Sequence, residues 1–349
     1  MPTITSKEIH LASRPEGLPQ PEHISLVEKQ IPEPLAGEIL VRNLFMSVDP
    51  YMRGRMMDRK SYVPSFQVGE ALGGHAVGEV VTSRDERFQR GDRVLHMQGW
   101  REYALTRRDE LTALPPDTGV PLQSFLGVLG MPGLTAYAGL LRIGELKEND
   151  TVFVSAASGA VGSIACQIAK IKNCTVIGSA GSDEKCTWLE QAAGIDKAIN
   201  YKACGNLTAA VAAACPLGID VYFDNVGGAH LEAAIENMRP FGRVVMCGMI
   251  AQYNATTPEP APRNLIQVVG KQLKLQGFIV SSHADMLHAF QHDMVGWISS
   301  GRMKWQETIV DGIERAPQAF MDLFTGGNIG KMLVRLGPDE TNRAALSVH

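Results

Sequence analysis

Val152-Phe153-Val154-Ser155-Ala156-Ala157-Ser158-Gly159-Ala160-Val161-Gly162 is the stretch on which the fold turns. An apolar run with β-branched residues (TVFVSAA, 151–157) reads as a buried strand, and SGAVGSIACQIAKIKN (158–173) continues at helical spacing. The junction fits G-x-G-x-x-G with Ala157 in the first glycine position. Small residues are needed there. The chain must turn sharply from strand to helix, Gly159 must let a pyrophosphate approach the main chain, and Gly162 must let the helix close on the strand. The anion then meets the positive end of a helix. A glycine pattern alone means only a tight turn. Here a strand precedes it, a helix follows, and a second strand (CTVIGSAG, 174–181) ends at the right distance, so the segment reads as a nucleotide site.

Working outward, strands and helices alternate: SDEKCTWLEQAAG (182–194) as a helix opened by Ser-Asp-Glu, KAINY (197–201), a helix through Ala214, IDVYFDNVGG (219–228), AHLEAAIENM (229–238) and GRVVMCGMI (242–250). Such βαβ units predict an α/β, doubly wound parallel sheet covered on both faces. Upstream, SFLGVLGMPGLTAYAGLLRIG (124–144) has helical period broken at Met131-Pro132-Gly133. Residues 1–120 are rich in strands and turns: GEILVRNLFMSVD (37–49), two strands in 76–97 around a polar connection with Gly91-Asp92 as the turn, and WREYALTRR (100–108). Leu114–Pro121 reads as a boundary. Downstream, 284–300 is helical in pattern and GKMLVRL (330–336) reads as a strand without a further βα partner. The expected organisation is therefore one domain of residues 1–123 completed by 311–349, around a nucleotide-binding domain of residues 124–310.

Composition narrows the function. With 349 residues, 45% hydrophobic and 20% charged, the chain is an ordinary globular protein of two-domain size. Its 33 Lys and Arg against 37 Asp and Glu form no basic run, which argues against nucleic acid and anionic membranes as partners. The N-terminus lacks the apolar core of a signal peptide, and nothing approaches the ~18 apolar residues of a membrane span, so the cytoplasm is the expected location. All six cysteines lie between Cys166 and Cys247 without a C-x-x-C pair, excluding a zinc ribbon or disulfide framework by spacing.

The second strand ends Val176-Ile177-Gly178-Ser179-Ala180-Gly181-Ser182, with small neutral residues where NAD-preferring folds place an acidic one. That leaves room for a 2′-phosphate. Lys185 could direct its ammonium there and Ser179 or Ser182 a hydroxyl, so NADPH/NADP+ is the expected cofactor.

Ser47-Val48-Asp49-Pro50-Tyr51-Met52-Arg53-Gly54, Met131 to Tyr137, Ala157 to Ser163, Asp224-Asn225-Val226-Gly227-Gly228 and Gly326-Gly327-Asn328-Ile329-Gly330-Lys331 stand in an order that resembles the zinc-independent medium-chain dehydrogenases/reductases. The resemblance is to the branch of prostaglandin reductases, plant double-bond reductases and bacterial curcumin reductases. It implies a GroES-like β-barrel domain beside a Rossmann domain, a homodimer, and NADPH-dependent reduction of the C=C bond of α,β-unsaturated ketones or aldehydes. By matching position, it implies that Lys185 and Tyr201 bind the 2′-phosphate region, Asn225 lies near the cofactor, Asn328 reaches its nicotinamide end, and Phe278 and Val280 line that site. Tyr253 matches an active-site tyrosine. Zinc-dependent relatives carry an early cysteine and Gly-His-Glu. Here no cysteine precedes Cys166 and Ala76 follows His75, so no metal is expected.

Without a metal, a hydrogen-bond donor must steady the negative charge that builds on the carbonyl oxygen. A tyrosine hydroxyl suits, and two compete: Tyr253, following a strand at the carboxyl edge of the sheet, and Tyr62, in a loop of the first domain. Tyr51 and Arg53 stand in the family-like stretch, Arg53 reading either as a contact for a polar substrate end or as a structural cation; Trp100, Met131 and Phe278 read either as pocket walls or as ordinary core packing. The rival readings are an NADPH quinone reductase or alcohol dehydrogenase, and an NADPH-binding sensor or structural relative without turnover.

Overall fold

Residues 4–116, 119–257 and 260–337 are described by a computed structural model. The expected boundary at 114–121 lies partly outside the described residues, at Asp117 and Thr118. The chain divides into two units. The first comprises the residues up to Leu126, Thr308–Gly327 and those from Met332 on; the second is Gly127–Glu307 with Asn328–Lys331, a short segment that the sequence reading assigns to the first domain.

In the first unit, β1 (Ile4–Leu11) and β2 (Ile24–Ile31) form an antiparallel ribbon. A larger sheet joins β3 (Glu38–Ser47), β4 (Ala76–Ser83), β5 (Arg93–His96), β6 (Tyr103–Arg107) and β7 (Thr112–Ala113) to the late strands β14 (Glu307–Asp311) and β15 (Lys331–Arg335). Its order is β14-β15-β3-β4-β5-β7, with β6 also on β3. Strand β3 is apolar on both faces because both are covered. Ile39 and Val41 pack with Val80 and Val94, whereas Leu44 and Phe45 pack with Val77 and Leu333. The short α1 (Met52–Arg55) follows β3, and α9 (Ala316–Thr325) packs Ala319 and Phe320 into the cluster that holds Met46, Met52 and Trp100.

The second unit is the doubly wound sheet. Strands β8 (Thr151–Val154), β9 (Thr175–Ala180), β10 (Lys197–Asn200), β11 (Ile219–Asp224), β12 (Met238–Met246) and β13 (Lys274–Gly277) run in the order β10-β9-β8-β11-β12-β13, every neighbouring pair parallel. The order reverses between β8 and β11, and ligands of such sheets bind in the crevice outside the strand ends at that point. Its helices are α2 (Met131–Ala138), α3 (Gly162–Ile171), α4 (Asp183–Gln191), α5 (Leu207–Ala214), α6 (Gly228–Asn237), α7 (Ile266–Gly270) and α8 (Leu287–Ser299). Ile164 and Ile168 of α3 are buried, each stabilising by roughly 1.5–3 kcal/mol.

Two local expectations are corrected. Met131-Pro132-Gly133 does not break a helix but starts one: Pro132 sits in the first turn of α2, where a missing N–H costs nothing. The strand expected at 242–250 begins earlier and ends at Met246, with a register shift against β11. Among the described residues, no helix is long and apolar enough to cross a membrane.

Candidate active site

The junction of β8 and α3 is built as its residues demand. Ala156 takes a left-handed φ of 46°, and the N–H of Gly159 donates to its carbonyl at 3.0 Å. The N–H of Ala157 donates to the Ser179 carbonyl at 2.9 Å, tying the turn to β9. A Cβ on Gly162 would overlap the Ala156 carbonyl oxygen and stand 2.9 Å from the Ala157 Cα. Ala157 and Ser158 are buried, whereas Gly159, Ala160 and Val161 keep their main chain half-exposed at the start of α3. This is a cradle for an anion. The Asn328–Lys331 segment closes one side: the Gly330 N–H donates to the Ser158 carbonyl at 2.7 Å, and the Asn328 amide donates to the Gly330 carbonyl at 2.8 Å.

At the end of β9 the expected residues separate. Ser179 is fully buried and its hydroxyl has no hydrogen-bond partner among the described residues, so its burial keeps it from presenting itself to a ligand. Ser182 caps α4, its hydroxyl accepting the Lys185 N–H at 3.3 Å. The Lys185 ammonium is half-buried, and burial together with the nearby Lys202 ammonium holds its pKa below the ordinary lysine value. Tyr201 is 38% exposed, its ring edge-on to His230 at 4.9 Å. Lys202 escaped the sequence reading.

Between β11 and β12 a buried carboxylate organises the loop. One oxygen of Asp224 accepts the Tyr222 hydroxyl (2.7 Å), the Ser155 hydroxyl (3.2 Å) and the N–H groups of Val226 and Gly227 (2.9 and 2.8 Å). Burial raises its pKa. Asn225 is thereby held against β8: its N–H donates to the Ser155 hydroxyl at 2.9 Å and its side-chain amide to the Ser155 carbonyl at 2.7 Å. The carbonyls of Asp224, Asn225 and Val226 in turn accept N–H groups from Cys247, Gly248, Ile250 and Ala251, fixing the segment that carries Tyr253.

The Tyr253 hydroxyl accepts the Met249 N–H at 3.4 Å and lies beside Gly248. Gly248 and Met249 line a cavity of about 490 Å³ with Met246, Cys247, Phe278 and Ile279. Val280 begins the following short helix. The Cys247 thiol is pushed up to about 12 by burial and by Asp224, so at neutral pH it is no nucleophile. Met131 is half-buried at the start of α2, its carbonyl accepting the Thr135 hydroxyl.

Within the first unit, two expected pocket residues prove structural. Arg53 is 2% exposed and donates to the carbonyls of Pro15 and Gly17, so its charge is spent on the chain's own loop. Trp100 has no exposed surface and packs edge-on to Phe320 at 6.1 Å, a core residue. Tyr51 is half-buried, and burial and Asp49 hold its hydroxyl pKa above the ordinary value. Tyr62 is 62% exposed. Among the described residues, no group of three or more His, Cys, Asp or Glu is arranged to hold a metal ion.

Comparison with known proteins agrees with this geometry. Residues 7–114 match the family described as the N-terminal domain of oxidoreductase, and residues 160–299 the family described as zinc-binding dehydrogenase. The NADPH-dependent curcumin reductase of Escherichia coli (strain K12) is 41% identical, over 95% of this chain and 96% of its own. The NADP(+)-dependent 2-alkenal reductase of Nicotiana tabacum is 40% identical, over 95% of this chain and 97% of its own. The crystal structure of CurA from Vibrio vulnificus in complex with NADPH superposes with a TM-score of 0.91 at 41% identity, covering 95% of this chain and 99% of that one. The chain therefore belongs to the medium-chain dehydrogenase/reductase family, in the branch of the prostaglandin reductases, plant double-bond reductases and bacterial curcumin reductases.

Proposed function

We propose that this protein is a cytoplasmic, NADPH-dependent reductase of the C=C bond in small α,β-unsaturated ketones and aldehydes, working without a metal ion and as a homodimer. The residues fit the cofactor. Gly159, Ala160, Val161 and Gly162 would cradle its pyrophosphate at the start of α3, and Lys185 and Tyr201 its 2′-phosphate, where β9 ends without a carboxylate. Asn225, Phe278, Val280 and Asn328 would hold the nicotinamide end. When bound, NADPH supplies the hydride that the β-carbon of the alkene receives.

The observation that carries the reading is the Tyr253 hydroxyl. It accepts the Met249 N–H and stands beside two residues that line an apolar cavity at the carboxyl edge of the sheet, where a substrate carbonyl would be its hydrogen-bond acceptor. A carbonyl oxygen gaining charge as the alkene is reduced is such an acceptor, and a neutral phenol favours that state over the ground state. Tyr62 is the second candidate for this role. The metal-free chemistry is supported by the absence of any cysteine before Cys166 and by Ala76 after His75. The homodimer is supported by Ile266 and Val269, 76% and 74% exposed on α7 just before the edge strand β13.

Following NADPH absorbance with a panel of enones, enals, quinones, saturated aldehydes and alcohols tests the proposal. Oxidation with enones and enals, yielding saturated carbonyl products, is expected. Tight NADPH binding with no turnover on any acceptor, or turnover confined to quinones or to saturated carbonyls, would overturn it.

A further inference from the structure

The end of β9 is crowded by side chains from its neighbour strand. In the parallel register Asn200 of β10 lies opposite Ala180 of β9, so the chain leaving β10 at Tyr201 and Lys202 runs beside Gly181 and Ser182. A Cβ on Gly181 would stand 3.2 Å from the Tyr201 hydroxyl oxygen and 3.3 Å from the Lys202 Cε. Both side chains therefore fold over this one glycine. Asn200 fixes the arrangement: its side-chain oxygen accepts the Lys202 N–H at 3.2 Å, while its amide donates to the Asp183 carboxylate at 2.7 Å. Asp183, in the first turn of α4, is thus engaged by a neutral group. Burial and then the Lys202 ammonium lower the Lys185 pKa, an effect the neighbouring Glu184 offsets only in smaller part. Two like charges have been brought together at the margin of a strand end that offers no carboxylate. An anion placed between two ammonium groups is favoured by both.

We propose that Lys202 is a cofactor-specificity residue, closing on the 2′-phosphate of NADPH from the β10 side, opposite Lys185 and across Gly181. The inference rests on the NADPH reading of the site. It gives the glycine a purpose, since a Cβ at 181 would press on the Tyr201 hydroxyl and the Lys202 stem, which would have to give by a few tenths of an ångström. NADH, with a neutral 2′-hydroxyl, gains little from either ammonium.

The test compares the full-length protein with Lys202→Ala, Lys202→Arg and Lys185→Ala. Affinities for NADPH, NADH and 2′,5′-ADP, which lacks the nicotinamide, are measured by calorimetry at two salt concentrations, with kcat at saturating NADPH. Lys202→Ala is expected to weaken NADPH and 2′,5′-ADP by about tenfold or more, the loss of one charge-assisted contact. NADH affinity and kcat should stay within about twofold, Lys202→Arg should recover most of the loss, and the salt dependence of 2′,5′-ADP binding should become shallower. Unchanged NADPH affinity in Lys202→Ala, or equal weakening of NADPH and NADH, would overturn the role of Lys202 while leaving the NADPH reading intact. A wild-type protein that binds neither NADPH nor 2′,5′-ADP would sink both.

Discussion

Acidification should unfold this protein at a pH where its carboxylates are still charged, and His96 of the first unit is the reason. The imidazole is 3% exposed and fully engaged. Its Nδ1 accepts the Gln98 N–H at 3.1 Å, which fixes the tautomer, and its Nε2–H donates to the Asn43 side-chain oxygen at 2.8 Å. Asn43 in turn donates to the carbonyls of Gln98 and Arg101. A proton on Nδ1 would face a donor, and burial, Arg101 and His75 together push the His96 pKa from 6.5 down to about 3. Because the folded value lies below the unfolded one, the stabilisation is complete above pH 6.5 and is lost as the pH falls from 6.5 toward 3. The unfolded chain takes up a proton that the folded chain refuses. Each pH unit in that window removes about 1.4 kcal/mol, hence roughly 2 kcal/mol between pH 6.5 and 5 and up to about 5 kcal/mol in all. Domain stabilities of about 5–15 kcal/mol make this a large fraction. Carboxylates held low by ion pairs, such as Glu145 with Lys274 and Glu232 with Arg263, act below their ordinary value of 4.5, whereas Asp224 of the second unit, raised by burial, acts with the opposite sign to the histidines. In the second unit, burial lowers His230 to about 4, which gives that unit a slope of the same sign. Urea unfolding at pH 7.5, 6.5, 5.8 and 5.0, on wild type and on His96→Gln, measures the slope. The variant, whose amide can replace both hydrogen bonds without titrating, should lose about 1.4 kcal/mol per pH unit of the dependence. An identical slope in the two proteins would refute the reasoning.

Two further outcomes concern the site. Gly162→Ala places a methyl against the Ala156 carbonyl and 2.9 Å from the Ala157 Cα, where 3.4 Å or more is ordinary contact, so the turn must open. Overpacking of this kind costs about 1–3 kcal/mol, and NADPH affinity by calorimetry should fall at least tenfold; undiminished binding would remove the turn from the cofactor site. Tyr253→Phe removes the proposed donor and should lower kcat by about 10²-fold while the NADPH dissociation constant moves less than about threefold; unchanged turnover would transfer the role to Tyr62 or elsewhere.

Much of the second unit is legible because its strands lie in a sheet's interior. β8, β9 and β11 must be apolar to be covered on both faces, and the Ala157–Gly162 turn must be small, so composition reports geometry directly. β13 was not readable. Lys274-Leu275-Gln276-Gly277 is a four-residue edge strand with no buried residue, and nothing in its pattern forces a pairing. Trp100 and Arg53 stayed open for the opposite reason: an aromatic or a cation has two destinations, pocket or interior, and only the packed core shows that Phe320 and the carbonyls of Pro15 and Gly17 claim them.

Lys202 marks the limit of motif reading more sharply. Its neighbour Tyr201 is pointed to the 2′-phosphate only by resemblance, nothing in the pattern extends that to position 202, and the glycine it covers lies 21 positions earlier, 202 against 181. What joins them is the register of two parallel strands, Asn200 opposite Ala180, and a register is set by the buried pattern of the strands rather than by either end. Specificity at this site is therefore a property of strand pairing. A slip of one residue in β10 would turn Lys202 away and bring a different side chain to Gly181, whereas the same slip would leave the glycine turn after β8 untouched. That asymmetry explains how the dinucleotide turn and the carboxylate-free end of β9 can be read along the chain, while a second cation reaching that strand end from β10 cannot.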